Sequence, residues 1–343
     1  MVESPPTRRL EPDRARLAGR TPEAPLITIA VPAYNRPALL AEALASVARQ
    51  TVRLPIEVVV CDDGLMEQTK AAVSQYARGR YFYLPNETPM GAVGNWNRCL
   101  RAARGEFVMV LHEDDALYPW YLESVLPLMR EGVVAACMRT ARGAVQPFLP
   151  RPAPAAAVAY PPGFFLKSSM TPFPGVLMRR DVALSLGGFD EAWGPVADYE
   201  FWYRLSLAGR IEVVEAVGAF YRVGPSQWTE RVWARMLSLT HLLRLRIARE
   251  QFPKAPRLGR WMARFFTYRN ARHYRERFGD GAAALRRGLR MRRIAFSFVP
   301  SGWVWQALRF ASRKKDRHAR IAPYARGTPQ IQQGGRGPDR VAA

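Results

Sequence analysis

Three successive carboxylates, Glu113, Asp114 and Asp115, follow the apolar run at 107–111 and a single histidine, His112. A short apolar run bounded this abruptly reads as a buried strand, and open α/β sheets bind their ligands beyond the carboxyl ends of such strands. Acids crowded at one point repel each other, and a hard divalent cation such as Mn or Mg relieves that repulsion, commonly with substrate phosphate in its shell. A helix start is the competing reading, in which Asp114 or Asp115 caps a helix around 119–130. Two more acidic points follow the same logic: Asp62-Asp63-Gly64 after the apolar run at 56–61, and Asp198 at the opening of an amphipathic stretch over 197–209. Brought together, such acids suit a nucleoside diphosphate. One accepts from the base edge, one holds ribose hydroxyls, and one reaches the phosphates through a cation. Taken singly, Asp62-Asp63-Gly64 is also a good turn and Asp198 a good N-cap.

The elements that must position these acids alternate. A strand is expected at 26–31, then a helix opening at Pro37 with Leu39, Leu40, Ala43, Leu44 and Val47 on one face. A strand at 56–61, a helix at 66–78, a strand at 81–84 and a Gly91/Gly94-led helix follow, and after the acids a helix at 118–130 and a strand at 133–138. This rhythm argues for a parallel sheet. Six prolines then break residues 141–162 into loop. Extended structure is expected at 175–179, short helix at 181–186, helix at 197–209, and two strands at 211–215 and 219–223.

Seven segments stand in an order that resembles the family 2 glycosyltransferases of GT-A fold. They are Val-Pro-Ala-Tyr-Asn-Arg at 31–36, Asp-Asp-Gly at 62–64, Asn86 with Gly91 and Asn97, Ala-Arg-Gly-Glu-Phe at 103–107, His-Glu-Asp-Asp at 112–115, Gly-Gly-Phe-Asp at 187–190 and Asp-Tyr-Glu-Phe-Trp-Tyr-Arg-Leu at 198–205. The resemblance covers residues 26–224. It implies an α/β fold with a mixed, mostly parallel sheet flanked by helices, divided into a nucleotide-binding half at 25–140 and an acceptor half at 141–227. It implies transfer of a sugar from a nucleotide-diphosphate donor to a hydroxyl on a glycan or lipid-linked saccharide, with inversion and with Mn or Mg as cofactor. By resemblance Pro32, Ala33, Tyr34, Asn35 and Arg36 form the loop around the nucleotide, Asp62 reads the base, and Asn97 faces the donor. Asp115 is then a metal ligand, Asp114 a ribose, phosphate or second metal contact, Asp198 the catalytic base, and Trp193 an acceptor-stacking residue. The remaining tryptophans at 96, 120 and 202 are expected in the core.

The chain departs from the family at three points. His112 stands where Asp is frequent, Ala197 where Glu commonly precedes the base, and Gly224 where a histidine often follows a Tyr-Arg pair. His112 is either a nitrogen ligand or a satisfied histidine beside a strand end. A domain of this fold without catalysis is the alternative these departures leave open, and a nucleotidyltransferase is a second enzyme rival. That class opens with a glycine-rich phosphate loop, whereas 31–36 contains no glycine.

The net charge of +22 has a location. From Arg231 onward there are 27 basic and 5 acidic residues, while the first 230 residues are neutral with 24 of each. A basic helical region is expected at 228–312, after which 313–343 reads as a disordered basic tail and 1–24 as a disordered leader. Arginines interleaved with apolar and aromatic residues at 229–249, 257–277 and 285–308 suit either peripheral contact with an anionic membrane or a helical cap on the catalytic domain. Nucleic acid is the rival partner for such a surface, but no recognisable nucleic-acid module is present. Scattered Cys61, Cys99 and Cys137, no signal peptide and no apolar run of spanning length lead to the expectation of a cytoplasmic protein, at most peripheral on the inner face of the cell membrane.

Overall fold

The computed structural model describes residues 25–278 apart from 77–79, 170–173 and 225–227, with side chains left out at 228–231 and 273–278. The expected leader, the tail and the basic region beyond 278 lie outside the described residues.

Strands β1 (Ile27–Ala33), β2 (Ile56–Asp62) and β4 (Phe107–Val110) are buried along nearly their whole length. That is why they read as continuous apolar runs rather than as alternating ones. With β3 (Tyr81–Pro85) they form a parallel block ordered β3-β2-β1-β4. Its crossovers are α1 (Pro37–Ala48), α2 (Glu67–Ser74) and α3 (Gly91–Ala102). Proline at the start of α1 costs no hydrogen bond there and presets its φ. The first amides of α3 are capped from outside: Asp63 accepts from Met90 N at 2.7 Å and Gly91 N at 2.9 Å.

The sheet continues from β4 through β8 (Leu177–Arg179), β6 (Val133–Gly143) and β9 (Arg210–Arg222) to β5 (Ala116–Leu117), and β7 (Ala157–Ala159) also pairs with β9. Here antiparallel pairing takes over, except that β6 and β9 run parallel. The helices of this half are α4 (Tyr121–Val125), α5 (Arg180–Ser185) and α6 (Ala197–Ala208).

Two expectations are corrected. The helix foreseen over 118–130 is only α4 followed by a 3-10 turn at Leu126–Leu128, because Pro127 cannot continue the ladder. The strands foreseen at 211–215 and 219–223 are one strand, β9, whose register against β6 shifts near Met138 and Arg139, opposite Ala216-Val217-Gly218.

The core lies on both faces of the sheet. Ala30, Val59, Val108 and Val110 belong to one cluster, and their neighbours Ile29, Val31, Val58, Val60 and Met109 to the other. Helices α7 (Trp228–Gln251) and α8 (Pro256–Phe278) join the first cluster through Leu243, Ile247, Met262, Phe265 and Phe266, all buried. Their apolar faces are therefore occupied by the protein's own core, which fits the helical-cap reading of these two helices. No helix among the described residues is long and apolar enough to cross a membrane.

The two halves are fastened by Asn97 of α3. Its amide oxygen accepts from Phe189 N and its amide nitrogen donates to Phe189 O, each at 2.8 Å and buried. Removing that side chain strands both backbone groups, at about 1–3 kcal/mol each if left unsatisfied. Asn97→Ala is expected to lower the melting temperature by roughly 5–10 °C in differential scanning fluorimetry. An unchanged melting temperature would show that the clamp contributes nothing.

Candidate active site

The carboxyl ends of β1 to β4 share one edge. Ala33 is opposite Asp62 and Asp62 opposite Pro85, while Leu111 N donates to Ala30 O as the chain leaves β4. The loop after β1 turns through Asn35, held at φ 58° in the left-handed region that asparagine tolerates. Gly64 meets it there: a Cβ at Gly64 would lie 2.1 Å from Asn35 Oδ1, so only glycine lets the two loops touch.

Asp62 is fully buried, and both of its oxygens are engaged, Oδ1 by Gly64 N and Oδ2 by the Tyr83 hydroxyl, each at 2.9 Å. It has no open face toward a base in this arrangement. Tyr83 is the half-exposed member of the pair, and burial followed by the bond to Asp62 pushes its phenol above the usual range. Asn97, whose amide is committed to Phe189, is likewise removed from the donor contacts expected of it. Tyr34, by contrast, stands 57% exposed at the loop tip with its ring available for stacking.

The acid turn is welded to this loop. Glu113 accepts from Tyr34 N through Oε2 and from Arg36 Nε through Oε1, both at 2.8 Å, and the same guanidinium donates to Asp114 Oδ2 at 2.6 Å. From the other side Arg222, the last residue of β9, donates its backbone N to Asp115 Oδ1 at 3.0 Å and its Nε to Asp114 O at 3.0 Å. Its guanidinium also meets Ala144 O and the Glu42 carboxylate of α1. The helix-cap reading of these acids fails. They are followed by β5, and the residue capping α4 is Trp120.

His112, Asp114 and Asp115 each offer one ligand atom within 4.8 Å of the others. Asp115 Oδ2 is buried without a hydrogen-bond partner and lies 3.8 Å from His112 Nδ1. Burial, and then the neighbouring charge of Asp114, push the Asp115 carboxyl well above its ordinary range. Burial also draws His112 down to about 4, so its imidazole is neutral near pH 7 and keeps a lone pair. Its ring stacks on Trp96 at 5.3 Å. An orphaned buried carboxylate oxygen beside a neutral imidazole and a second carboxylate fits a divalent cation.

Asp198 stands in the first turn of α6, after the 3-10 turn Glu191–Val196, which Asp190 caps by accepting from Ala192 N and which kinks at Gly194 with φ 48°. The α6 cap is Val196, and Asp198 bonds only to the next amide, Tyr199 N, at 2.7 Å, so its carboxylate is not serving as the helix cap. Burial raises it to about 6. An aromatic series joins this turn to the acids: Trp96 meets Phe189 edge-on at 5.5 Å, and Phe189 packs on Phe201 and Trp202 of α6 at 4.5 and 5.9 Å. Trp96, Trp120 and Trp202 are core residues, whereas Trp193 is half-buried and packs against the core from its edge.

Glu113, Tyr83 and Arg222 carry weight that the sequence left unassigned. The first acid of the run and the Tyr-Arg pair were visible signals, but the partners were not. Asp115→Asn removes a desolvated carboxyl whose Oδ2 has no hydrogen-bond partner in the metal-free protein. It is expected to raise the metal-free melting temperature by about 2–5 °C while abolishing any stabilisation by Mn. A metal-free melting temperature at or below that of the parent would contradict the strain inferred for this carboxylate.

Comparison with known proteins agrees with this geometry. Residues 28–183 match the model of glycosyl transferase family 2. An Escherichia coli protein, UDP-Glc:alpha-D-GlcNAc-diphosphoundecaprenol beta-1,3-glucosyltransferase WfgD, is 33% identical over 104 residues, covering 30% of this chain and 41% of that protein. A Campylobacter jejuni protein, GalNAc(5)-diNAcBac-PP-undecaprenol beta-1,3-glucosyltransferase, is 33% identical over 111 residues, covering 32% and 36%. The chain thus spans less than half the length of either glucosyltransferase. Among solved structures, S. aureus TarS 1-349 in complex with UDP-GlcNAc superposes with a TM-score of 0.53 at 20% identity, covering 65% of this chain and 66% of that one. The mannosyltransferase PcManGT from Pyrobaculum calidifontis, in complex with GDP-Man and Mn2+, gives 0.53 at 20% identity, covering 86% and 87%. Over residues 28–183 the chain matches glycosyl transferase family 2, on a fold it shares with both solved structures.

Proposed function

We propose that the protein transfers a sugar from a nucleotide diphosphate to a hydroxyl group of a glycan or lipid-linked saccharide, with inversion at the anomeric carbon. The observation that carries this reading is a carboxylate raised to about 6, Asp198, tied through Trp96 and Phe189 to a cation-competent acid turn. A lipid-linked acceptor is favoured by the two relatives whose names specify undecaprenol-diphosphate substrates.

Pro32, Ala33, Tyr34, Asn35 and Arg36 would enclose the nucleotide, with Tyr34 stacking on the base and Tyr83 presenting its hydroxyl beside Asp62. Asp114, Asp115 and His112 would hold the divalent cation, which when bound neutralises charge on the leaving diphosphate. Asp198 would take the proton from the acceptor hydroxyl as its oxygen forms the new bond to the anomeric carbon and the bond to the diphosphate oxygen breaks on the opposite face. A base of this kind works best when its pKa lies near the operating pH, and burial has moved Asp198 in that direction. Trp193 would border the acceptor. Of the three segments expected to suit a membrane surface, 285–308 lies outside the described residues, and those at 229–249 and 257–277 have apolar residues packed into the core.

A panel of nucleotide sugars, assayed with and without Mn for transfer and for hydrolysis, tests the donor class. Asp198→Asn is expected to lower kcat by about 10²- to 10⁴-fold with donor affinity nearly unchanged. A base acts only when ionised, so the parent rate should rise with pH through about 6 and then level off. Retained turnover in the variant, or a parent rate that falls as pH rises through 6, would remove Asp198 from this role.

A further inference from the structure

The acid turn after β4 departs from an all-oxygen cation site at one position. Glu113 is spent, one oxygen accepting from Arg36 Nε and the other from Tyr34 N. Asp114 gives Oδ2 to the same guanidinium at 2.6 Å. Asp115 is oriented by Arg222 N, which donates to Oδ1 at 3.0 Å, so Oδ2 is the oxygen left buried and without a hydrogen-bond partner. Facing that oxygen is a nitrogen, His112 Nδ1, at 3.8 Å. Asp115 is buried, whereas His112 and Asp114 are part-exposed, so the group opens on their side.

A separation of 3.8 Å is too long for a hydrogen bond between the two groups. Two donors each held ~2.1 Å from one cation stand about 3–4 Å apart, which is the spacing found here. Packing beside a strand end explains the face of the His112 ring but not its edge. Trp96 stacks on the face at 5.3 Å with 25° between the planes, and Trp96 is itself buried and met edge-on by Phe189. The lone pair of an imidazole lies in the ring plane, so a ring held by its face keeps its edge for a ligand. Donor type then discriminates between ions. Mg takes oxygen donors in a strict geometry, whereas imidazole nitrogen suits the later first-row transition ions. With Glu113 and one oxygen of Asp114 withdrawn by Arg36, this turn offers an oxygen-seeking ion little beyond Asp115 Oδ2 and the other oxygen of Asp114.

We propose that His112, binding through Nδ1 beside Asp115 Oδ2, sets which ion the site accepts: a divalent transition ion in preference to Mg. Arg222 and Trp96 are its positioning partners, the first fixing which oxygen of Asp115 points inward and the second fixing the plane of the imidazole. The part the ion plays in sugar transfer rests on the proposed function. The selection does not, because it follows from the donor set.

The test uses the whole chain and readouts that do not depend on turnover. Mn alone is added to protein carrying isotopically labelled histidine nitrogen, and pulsed paramagnetic resonance reads nitrogen bound directly to the metal. The coupling should be present in the parent and lost in His112→Asp, which separates His112 from the chain's other histidines. Co and Mg, each alone, are then titrated calorimetrically. The parent should bind Co at least about tenfold more tightly than Mg, and His112→Asp should narrow that ratio to within about threefold by weakening Co and strengthening Mg. His112→Gln should weaken Co about tenfold and leave Mg nearly unchanged. The parent's spectrum and its affinity ratio decide the matter even where a variant folds poorly. No binding of any ion, equal affinities for Co and Mg in the parent, no nitrogen coupling, or a coupling that persists in His112→Asp overturns the proposal. Sugar transfer that runs equally well on Mg, without nitrogen coupling to Mn, would sink the ion selection and leave the transferase reading. Selective binding through His112 with no transfer from any nucleotide sugar would do the reverse.

Discussion

Negative charge concentrated at the end of β4 is the constraint around which the catalytic face is built. Three adjacent carboxylates in a partly desolvated turn repel one another, and each is handled differently. Glu113 is neutralised by Arg36 and an amide of the β1 loop, and Asp114 shares the same guanidinium. Asp115 receives only a backbone amide from Arg222 and keeps one oxygen buried and unanswered. An uncompensated buried carboxylate lowers stability, and such residues persist where function requires them. The compensation also has a structural product: the loop expected to wrap the nucleotide and the turn expected to hold the cation are fixed to each other through Glu113, so they cannot move independently.

What the sequence made legible follows from how each signal is generated. Parallel strands buried on both faces leave unbroken apolar runs, so β1, β2 and β4 and the acids at their ends could be located to within a residue or two. Local pattern was a poorer guide where tertiary contacts decide. Residues 118–130 are apolar enough for a helix, yet Pro127 ends it early, and Ala216 to Gly218 look like a break in a strand that β6 nevertheless pairs throughout by shifting register. Side-chain partners were least legible of all. Spacing brings Asp62 and Asn97 to the correct edge, but nothing in it reveals that Tyr83 seals the first or that Phe189 occupies the second.

The same limit explains the basic helices. Composition alone gives α7 and α8 one greasy and one cationic face, which suits a membrane surface and a helical cap equally. Packing favours the cap: Leu243, Ile247, Phe265 and Phe266 are covered by the rest of the domain, and Arg246 is engaged by Glu200 of α6 and Glu250 of its own helix. Charge that looks like a property of a tail is here partly the means of fastening α7 to the domain. Arg244, buried on the same helix, fastens α7 differently, by donating to Lys167 O and reaching Thr267 Oγ1 of α8.

Placement of Asp198 relative to the acid turn rests on a different kind of contact from the one that fixes the loops. Among the described residues no polar bridge links α6 to Asp114 or Asp115; the connection runs through rings, from His112 to Trp96, to Phe189, to Phe201 and Trp202. Ring packing is non-directional over a few tenths of an ångström, whereas the hydrogen bonds of Glu113 are not. Under the proposed assignment the β1 loop and the acid turn are therefore held rigidly in register, while α6 is left freer to adjust. Asn97 bounds that adjustment by clamping Phe189, the middle ring of the series, to α3. A rigid donor platform with a base carried on an aromatic joint suits a reaction in which the leaving group must be fixed while acceptors of differing bulk approach the same carbon.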